Sequence, residues 1–181
     1  MIGVLALHGG FREHVDILRM LGIPACEVRT QKELMRDELT GLILPGGEST
    51  VVSKFLDEFD LRSHISARAE NSAFKIYGTC AGLILLAKNV LENGTTSSRV
   101  KPLGLLDIDV ERNAYGRQMG SFLTEFGAFI RAPRITRIAD GVEVVQKYED
   151  TPVLVRRGSI WGSTFHPELT KNARVHRAIF L

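Results

Sequence analysis

Three features of this 181-residue sequence predict an α/β fold, an open and mostly parallel sheet with helices on both faces. Short apolar runs of strand length alternate with helical patterns through the first half, as in a parallel sheet wrapped by helices. A strand pattern passes straight into a helical one at Gly78-Thr79-Cys80-Ala81-Gly82. In the second half, strand-like pieces follow one another with few helices between them, which adds antiparallel strands.

Taken in order, Ile2 to Leu7 has the unbroken apolar character of a buried strand. Phe11 to Leu21 follows as a helix, with Val15, Leu18 and Leu21 at helical spacing and Gly22 just past its end. Ala25 to Val28 and Gly41 to Leu44 read as strands, the second running into Pro45-Gly46-Gly47. Thr50 to Phe55 and Leu61 to Glu70 have helical patterns, Phe74 to Tyr77 is a strand, and Ala81 to Ala87 is an apolar run of helix formers. Later strands are expected at Leu106 to Val110, Ala128 to Arg131, Val142 to Lys147, Val153 to Arg156 and Ser159 to Ser163, the last two joined as a hairpin at Arg157-Gly158. Asn93 to Ser98 is expected to be an exposed loop, and Val175 to Phe180 a closing helix. With no internal repeat or linker, residues 1–181 read as one domain.

Composition excludes several classes of function. Hydrophobic residues make up 44% and charged residues 24%, ordinary for a soluble globular chain. The formal net charge is +2 with no basic blocks, so nothing suggests nucleic acid or a membrane surface as partner. The N-terminus lacks a basic region and a long apolar run, and no segment approaches the ~20 apolar residues of a membrane helix. Cys26 and Cys80 cannot form a dense disulfide framework, which fits a reducing, cytoplasmic location. Cys26 is expected in the core. His8, His14, His64 and His176 show no ligand spacing such as H-E-x-x-H, so no metal is expected.

The chemistry concentrates around Cys80. Small neighbours, Gly78 and Gly82, permit a sharp turn that holds the sulfur at a helix N-terminus, where free N–H groups and the helix dipole favour a thiolate. A buried structural cysteine is the bland reading of the same letters. A nucleophilic cysteine needs a base, a group to orient it and oxyanion donors. His166 and Glu168 follow an apolar strand at i and i+2, a spacing that puts both side chains on one side of an extended segment. Gly46 and Gly47 allow close backbone approach to a ligand, Glu48 follows them, and Ser49 is either part of that site or a helix N-cap. Arg112 and Arg131 read as surface arginines on spacing alone, but an amino-acid substrate calls for guanidinium groups at its α-carboxylate.

Strand-GTCAG-helix with a late FHPE resembles the class I, triad-type glutamine amidotransferases, whose fold is flavodoxin-like. PGGEST at 45–50, GTCAGLILLAK at 78–88, LGLLDI at 103–108, ERNAYGRQ at 111–118, FIRAPRI at 129–135 and TFHPELT at 164–170 are similar to the glutaminase subunits of pyridoxal 5′-phosphate synthases. The resemblance implies hydrolysis of L-glutamine to glutamate and ammonia, with no cofactor, and transfer of the ammonia to a separate synthase subunit. It implies Cys80 as nucleophile, His166 as base and acid, and Glu168 as its orienting group. Gly46, Gly47, Glu48, Ser49, Arg112, Ile130 and Arg131 then fall at glutamine contacts. One departure stands out: the family's first strand usually runs into Gln-Gly-Asp, whereas here it meets His8-Gly9-Gly10. Other flavodoxin-like cysteine hydrolases, peptidases or γ-glutamyl hydrolases, and a non-catalytic subunit remain alternatives at this level.

Overall fold

The computed structural model describes residues 1–114, 121–170 and 172–181, so the end of the ERNAYGRQ segment lies outside the described residues. In chain order the first half comprises β1 (Ile2–Leu5), α1 (Phe11–Met20), β2 (Ala25–Val28), α2 (Gln31–Leu34), β3 (Gly41–Leu44), α3 (Ser49–Glu58), α4 (Arg62–Ala69), β4 (Lys75–Thr79) and α5 (Ala81–Leu86). The second half runs through β5 (Ala87–Glu92), β6 (Thr95–Thr96), β7 (Leu106–Glu111), β8 (Phe122–Leu123), β9 (Ala128–Phe129), β10 (Arg134–Ile138), β11 (Glu143–Tyr148), β12 (Thr151–Arg157) and β13 (Ile160–Ser163). A 3₁₀ turn at Pro167–Thr170 and α6 (Arg174–Phe180) complete it.

Seven strands form the main sheet in the order β11-β12-β13-β4-β3-β1-β2. The five from β13 to β2 are parallel, and β12 and β11 extend the sheet antiparallel. This is the mostly parallel sheet with added antiparallel strands that the sequence predicts. Alternate side chains feed opposite faces. Leu5, Leu42, Leu44 and Ile76 enter one apolar cluster with Val52 and Leu56 of α3, Ile65 of α4 and the leucines of α5. Val4, Ile43 and Tyr77 enter the other, against Val15 and Leu18 of α1 and Val175 and Ile179 of α6. Each fully buried aliphatic side chain contributes about 1.5–3 kcal/mol relative to exposure, so these two layers fix the sheet between its helices. A four-stranded sheet, β10-β7-β5-β6, adds Val90, Ile108, Val110 and Ile135 to the first cluster.

Several elements differ from expectation. The helix after Cys80 ends at Leu86, and Ala87 turns into β5 with φ −60° and ψ 158°. The expected 93–98 loop contains a hairpin: Glu92 pairs with Thr95, and Asn93-Gly94 supplies the two positive-φ residues (53° and 75°) that a tight two-residue turn requires. The Ala128 to Arg131 strand stops at Phe129, because Arg131 adopts φ 45°. Gln31–Leu34 is a helical turn made by a capping box between Thr30 and Glu33. Cys26 is half-buried instead of core, since β2 is the sheet edge. Among the described residues no helix is long and apolar enough to cross a membrane.

Close backbone approach seats α5 on the sheet. Gly162, Gly78 and Leu44 form one register row across β13, β4 and β3. A Cβ on Gly78 would lie 2.6 Å from the Gly82 carbonyl carbon, and one on Gly82 would lie 2.0 Å from the Leu44 carbonyl oxygen. Both obstacles are backbone, so neither can swing aside. Gly82→Ala is therefore expected to cost ~3 kcal/mol or to prevent folding. Gly22→Ala, at a positive φ of 71° but in open space, should cost only ~1 kcal/mol. Urea unfolding of the two variants checks this, and equal losses would contradict the packing argument.

Candidate active site

Cys80 occupies a strained elbow. Its φ of 47° and ψ of −99° lie outside the ordinary regions for a side-chain-bearing residue, at a cost on the order of 1–3 kcal/mol. The surrounding backbone holds it there: the Cys80 N–H donates to Ser163 O at 2.8 Å, and its carbonyl accepts the Ile84 N–H at 3.1 Å. The sulfur thus sits at the start of α5, 3.9 Å from the Ile130 carbonyl oxygen, beside first-turn amides that have no acceptor within the helix.

The chain leaving β13 brings up His166. A pair of backbone hydrogen bonds with Ala128, 2.7 and 3.0 Å, pins this residue. Gly46 presses on the imidazole so closely that a Cβ there would lie 2.1 Å from His166 Cε1. Glu168 then lies on the 3₁₀ turn, not on an extended segment as the i, i+2 spacing suggested, because the chain turns at Pro167. The turn still aims both side chains at one point: His166 Nδ1 donates to Glu168 Oε1 at 2.7 Å. That leaves Nε2 for Cys80. Burial opposes charge on His166, but hydrogen bonds and charge from Cys80 and Glu168 outweigh it and raise its pKa to about 10. Glu168 is likewise opposed by burial yet held below the ordinary carboxylate range by its histidine partners.

All ten residues singled out in the sequence line one cavity of about 310 Å³ at the carboxyl edge of the sheet. This is the small end of the ligand-cavity range and suits a single amino acid. Not all ten stand as expected. Glu48, not Ser49, caps α3, accepting from the Thr50 N–H at 3.4 Å; Ser49 is the first helical residue and buried. The Arg112 guanidinium is buried and already shared, at 3.1 Å with Glu48 and 3.3 Å with Glu92. Partial burial disfavours the Glu48 charge, but hydrogen bonds from Thr50 and the nearby Arg112 and Arg131 keep its pKa below the ordinary value. Ile130 and Arg131 are exposed at the cavity wall.

Gly9, Gly10, Ile84, Asn113 and Leu169 also line the cavity, and the sequence reading assigns none of them to the site. The signal for the first two was topological. Strand order reverses between β1 and β3, and ligands bind where the loops after such strands diverge. The two loops are stitched together by the Gly10 N–H on Gly46 O at 3.2 Å. His8, exposed, stands beside the glycine turn, its Nδ1 accepting the Glu48 N–H at 3.5 Å. Among the described residues no group of three or more His, Cys, Asp or Glu is arranged to hold a metal ion.

A cysteine elbow after the central strand of the sheet is the arrangement that the resemblance to glutamine amidotransferases implies. A crystal structure described as a glutamine amidotransferase matches with TM-score 0.87 and 44% identity, covering 98% of this chain and 96% of that one. The chain belongs to the SNO glutamine amidotransferase family, whose model matches residues 4–181. It is 46% identical to the pyridoxal 5′-phosphate synthase subunit PdxT of Thermus thermophilus, over 98% of this chain and 94% of that protein. It is 48% identical to the Dehalococcoides mccartyi protein of the same name, over 97% and 93%.

The His166–Glu168 pair makes stability depend on pH. The folded-state pKa of His166 lies above its ordinary 6.5, so its contribution is complete below pH 6.5 and lost as pH rises through about 10. Glu168 is shifted down from 4.5, so its contribution is present above pH 4.5 and lost as pH falls. The melting-temperature difference between the wild type and Glu168→Gln should be largest between about pH 5 and 6.5 and shrink toward pH 10. A difference that keeps growing up to pH 10 would contradict this pairing.

Proposed function

We propose that this amidotransferase hydrolyses L-glutamine through Cys80, His166 and Glu168, acting as one domain over residues 1–181. The observation that carries the proposal is the 2.7 Å His166–Glu168 bond, which turns the imidazole toward a cysteine held in a strained elbow. The Cys80 thiolate attacks the side-chain amide carbon of glutamine. Carbon–sulfur bond formation gives a tetrahedral oxyanion, whose proposed donors are the backbone of the Gly46-Gly47 turn, which lines the same cavity as Cys80, and the first amides of α5. The His166 imidazolium protonates the leaving nitrogen, carbon–nitrogen bond cleavage releases ammonia, and a γ-glutamyl thioester remains. Neutral His166 then takes a proton from water, hydroxide adds to the thioester carbon, and carbon–sulfur bond cleavage releases glutamate and restores the Cys80 thiolate.

Substrate recognition follows from charge. Glu48 is kept ionised by Thr50 and Arg112, and suits the α-ammonium group. Arg131, exposed at the cavity wall, suits the α-carboxylate. Arg112, already shared between two carboxylates, orients Glu48. The relatives are named as subunits of pyridoxal 5′-phosphate synthase, and the ammonia released here is proposed to pass to a synthase subunit for pyridoxal 5′-phosphate formation, in the cytoplasm. The family assignment favours this reading over a peptidase, a γ-glutamyl hydrolase or a non-catalytic subunit.

Glutamate release measured for the chain alone and with its synthase subunit tests the assignment. Slow turnover alone and stimulation of about tenfold or more on docking are expected, within the usual range of coupling between sites. No turnover in either condition would refute it. Cys80→Ala should lower turnover by at least about 10³-fold while leaving co-elution with the synthase intact. Near-wild-type turnover in that variant would remove Cys80 from the mechanism.

A further inference from the structure

Two histidines that this mechanism does not use lie fully buried behind Glu168. His14 comes from α1 and His176 from α6, and neither has any exposed surface. His14 Nδ1 and His176 Nε2 are 2.8 Å apart. The other nitrogen of His14, Nε2, is 3.2 Å from Thr79 Oγ1 and 3.5 Å from Glu168 Oε1, the oxygen that also receives His166. His176 Nδ1 and Glu168 Oε2 are buried without a hydrogen-bond partner. Burial drives the pKa of His14 below 6.5 and that of His176 to about 3, so both rings are neutral at neutral pH and each carries one N–H.

One tautomer satisfies this arrangement. If His176 bears its proton on Nε2, it donates to His14 Nδ1, and His14 then carries its own proton on Nε2, facing Thr79 and the Glu168 carboxylate. The reverse assignment strands a buried N–H on His176 and points a bare His14 lone pair at an anion, which is the costlier arrangement. The remaining groups around His14 are the Tyr77 ring, edge-on at 6.3 Å, Glu13 on its own helix, and His166 beyond Glu168. None of them replaces the donor.

We infer that His14 is a positioning residue for the hydrolysis: its Nε2–H, oriented by His176, keeps the Glu168 carboxylate ionised and turned toward His166. The inference rests on the proposed Cys80-His166-Glu168 reading. Because Glu168 Oε2 has no partner, removing His14 leaves the carboxylate with His166 as its one side-chain donor, and protonation of Glu168 becomes easier. A Gln at position 14 supplies an amide N–H toward Glu168 and an oxygen to receive His176, whereas Leu supplies neither.

Glutamate release by the chain with its synthase, measured against pH for wild type, His14→Gln and His14→Leu, tests this. His14→Leu should lose about tenfold or more in kcat with KM within about twofold, and its acidic limb should move to higher pH. His14→Gln should stay within about threefold of wild type with an unmoved limb. A merely structural residue would lower the yield or the melting temperature of His14→Leu without moving kcat or the acidic limb of the folded fraction, and that outcome overturns the inference. So does a Gln variant as impaired as the Leu variant. If the wild type itself releases no glutamate, the underlying reading fails instead. Should the Leu variant not fold, nitrogen NMR of histidine-labelled wild type decides: the His14 proton on Nε2 at pH 7 is required, and a proton on Nδ1 or a charged ring contradicts the inference.

Discussion

An ionised carboxylate in the protein interior is the constraint on which this site depends. Glu168 has no exposed side-chain surface, and removing a charge from water costs several kcal/mol unless close partners offset it. The offset comes from His166 at 2.7 Å and from the His14 ring behind it. Two separate pieces of chain must therefore bring three side chains to one oxygen: the segment leaving β13, which carries both His166 and Glu168, and the first helix, which carries His14. Misplacing any of them would leave a buried charge uncompensated, so the geometry that serves the chemistry also tightens the fold.

The nucleophile is held by a different device. Cys80 adopts a backbone conformation that a short free peptide would rarely populate, and it persists because β4, β13 and α5 over-determine it. The glycine row across β13 and β4 lets α5 lie almost on the sheet, which sets how far the sulfur stands above the strand ends. Gly46 sets the opposite wall, allowing the imidazole to approach the loop after β3 with no side chain between them.

Much of this was legible in the sequence. The parallel core was readable because β1, β3 and β4 are short apolar runs set off by helices or glycine turns, and the elbow because Gly78 and Gly82 bracket Cys80. His166 and Glu168 were readable as a pair, although the 3₁₀ turn that presents them was not, since spacing alone does not tell a turn from a strand. The strand at Ala87–Glu92 was hidden because an apolar run such as Ala81 to Ala87 carries no internal signal for where helix gives way to strand. The Glu149-Asp150 turn between β11 and β12, with φ values of 46° and 62°, is not legible in the sequence because it lacks glycine. The buried His14–His176 pair was illegible for a tertiary reason: the residues are 162 positions apart, and neither makes a motif until α1 and α6 pack on the same sheet face.

Everything in this chemistry turns on the Cys80 sulfur as the atom that takes the glutamyl group. Rapid quenching of the chain with its synthase during glutamine turnover, followed by peptide mass spectrometry, tests it most directly. A γ-glutamyl adduct on the Cys80 peptide and none on Cys26, whose half-buried thiol is shifted to higher pKa by burial, is the predicted result. Turnover without any adduct on Cys80, or with the adduct on Cys26, would contradict it.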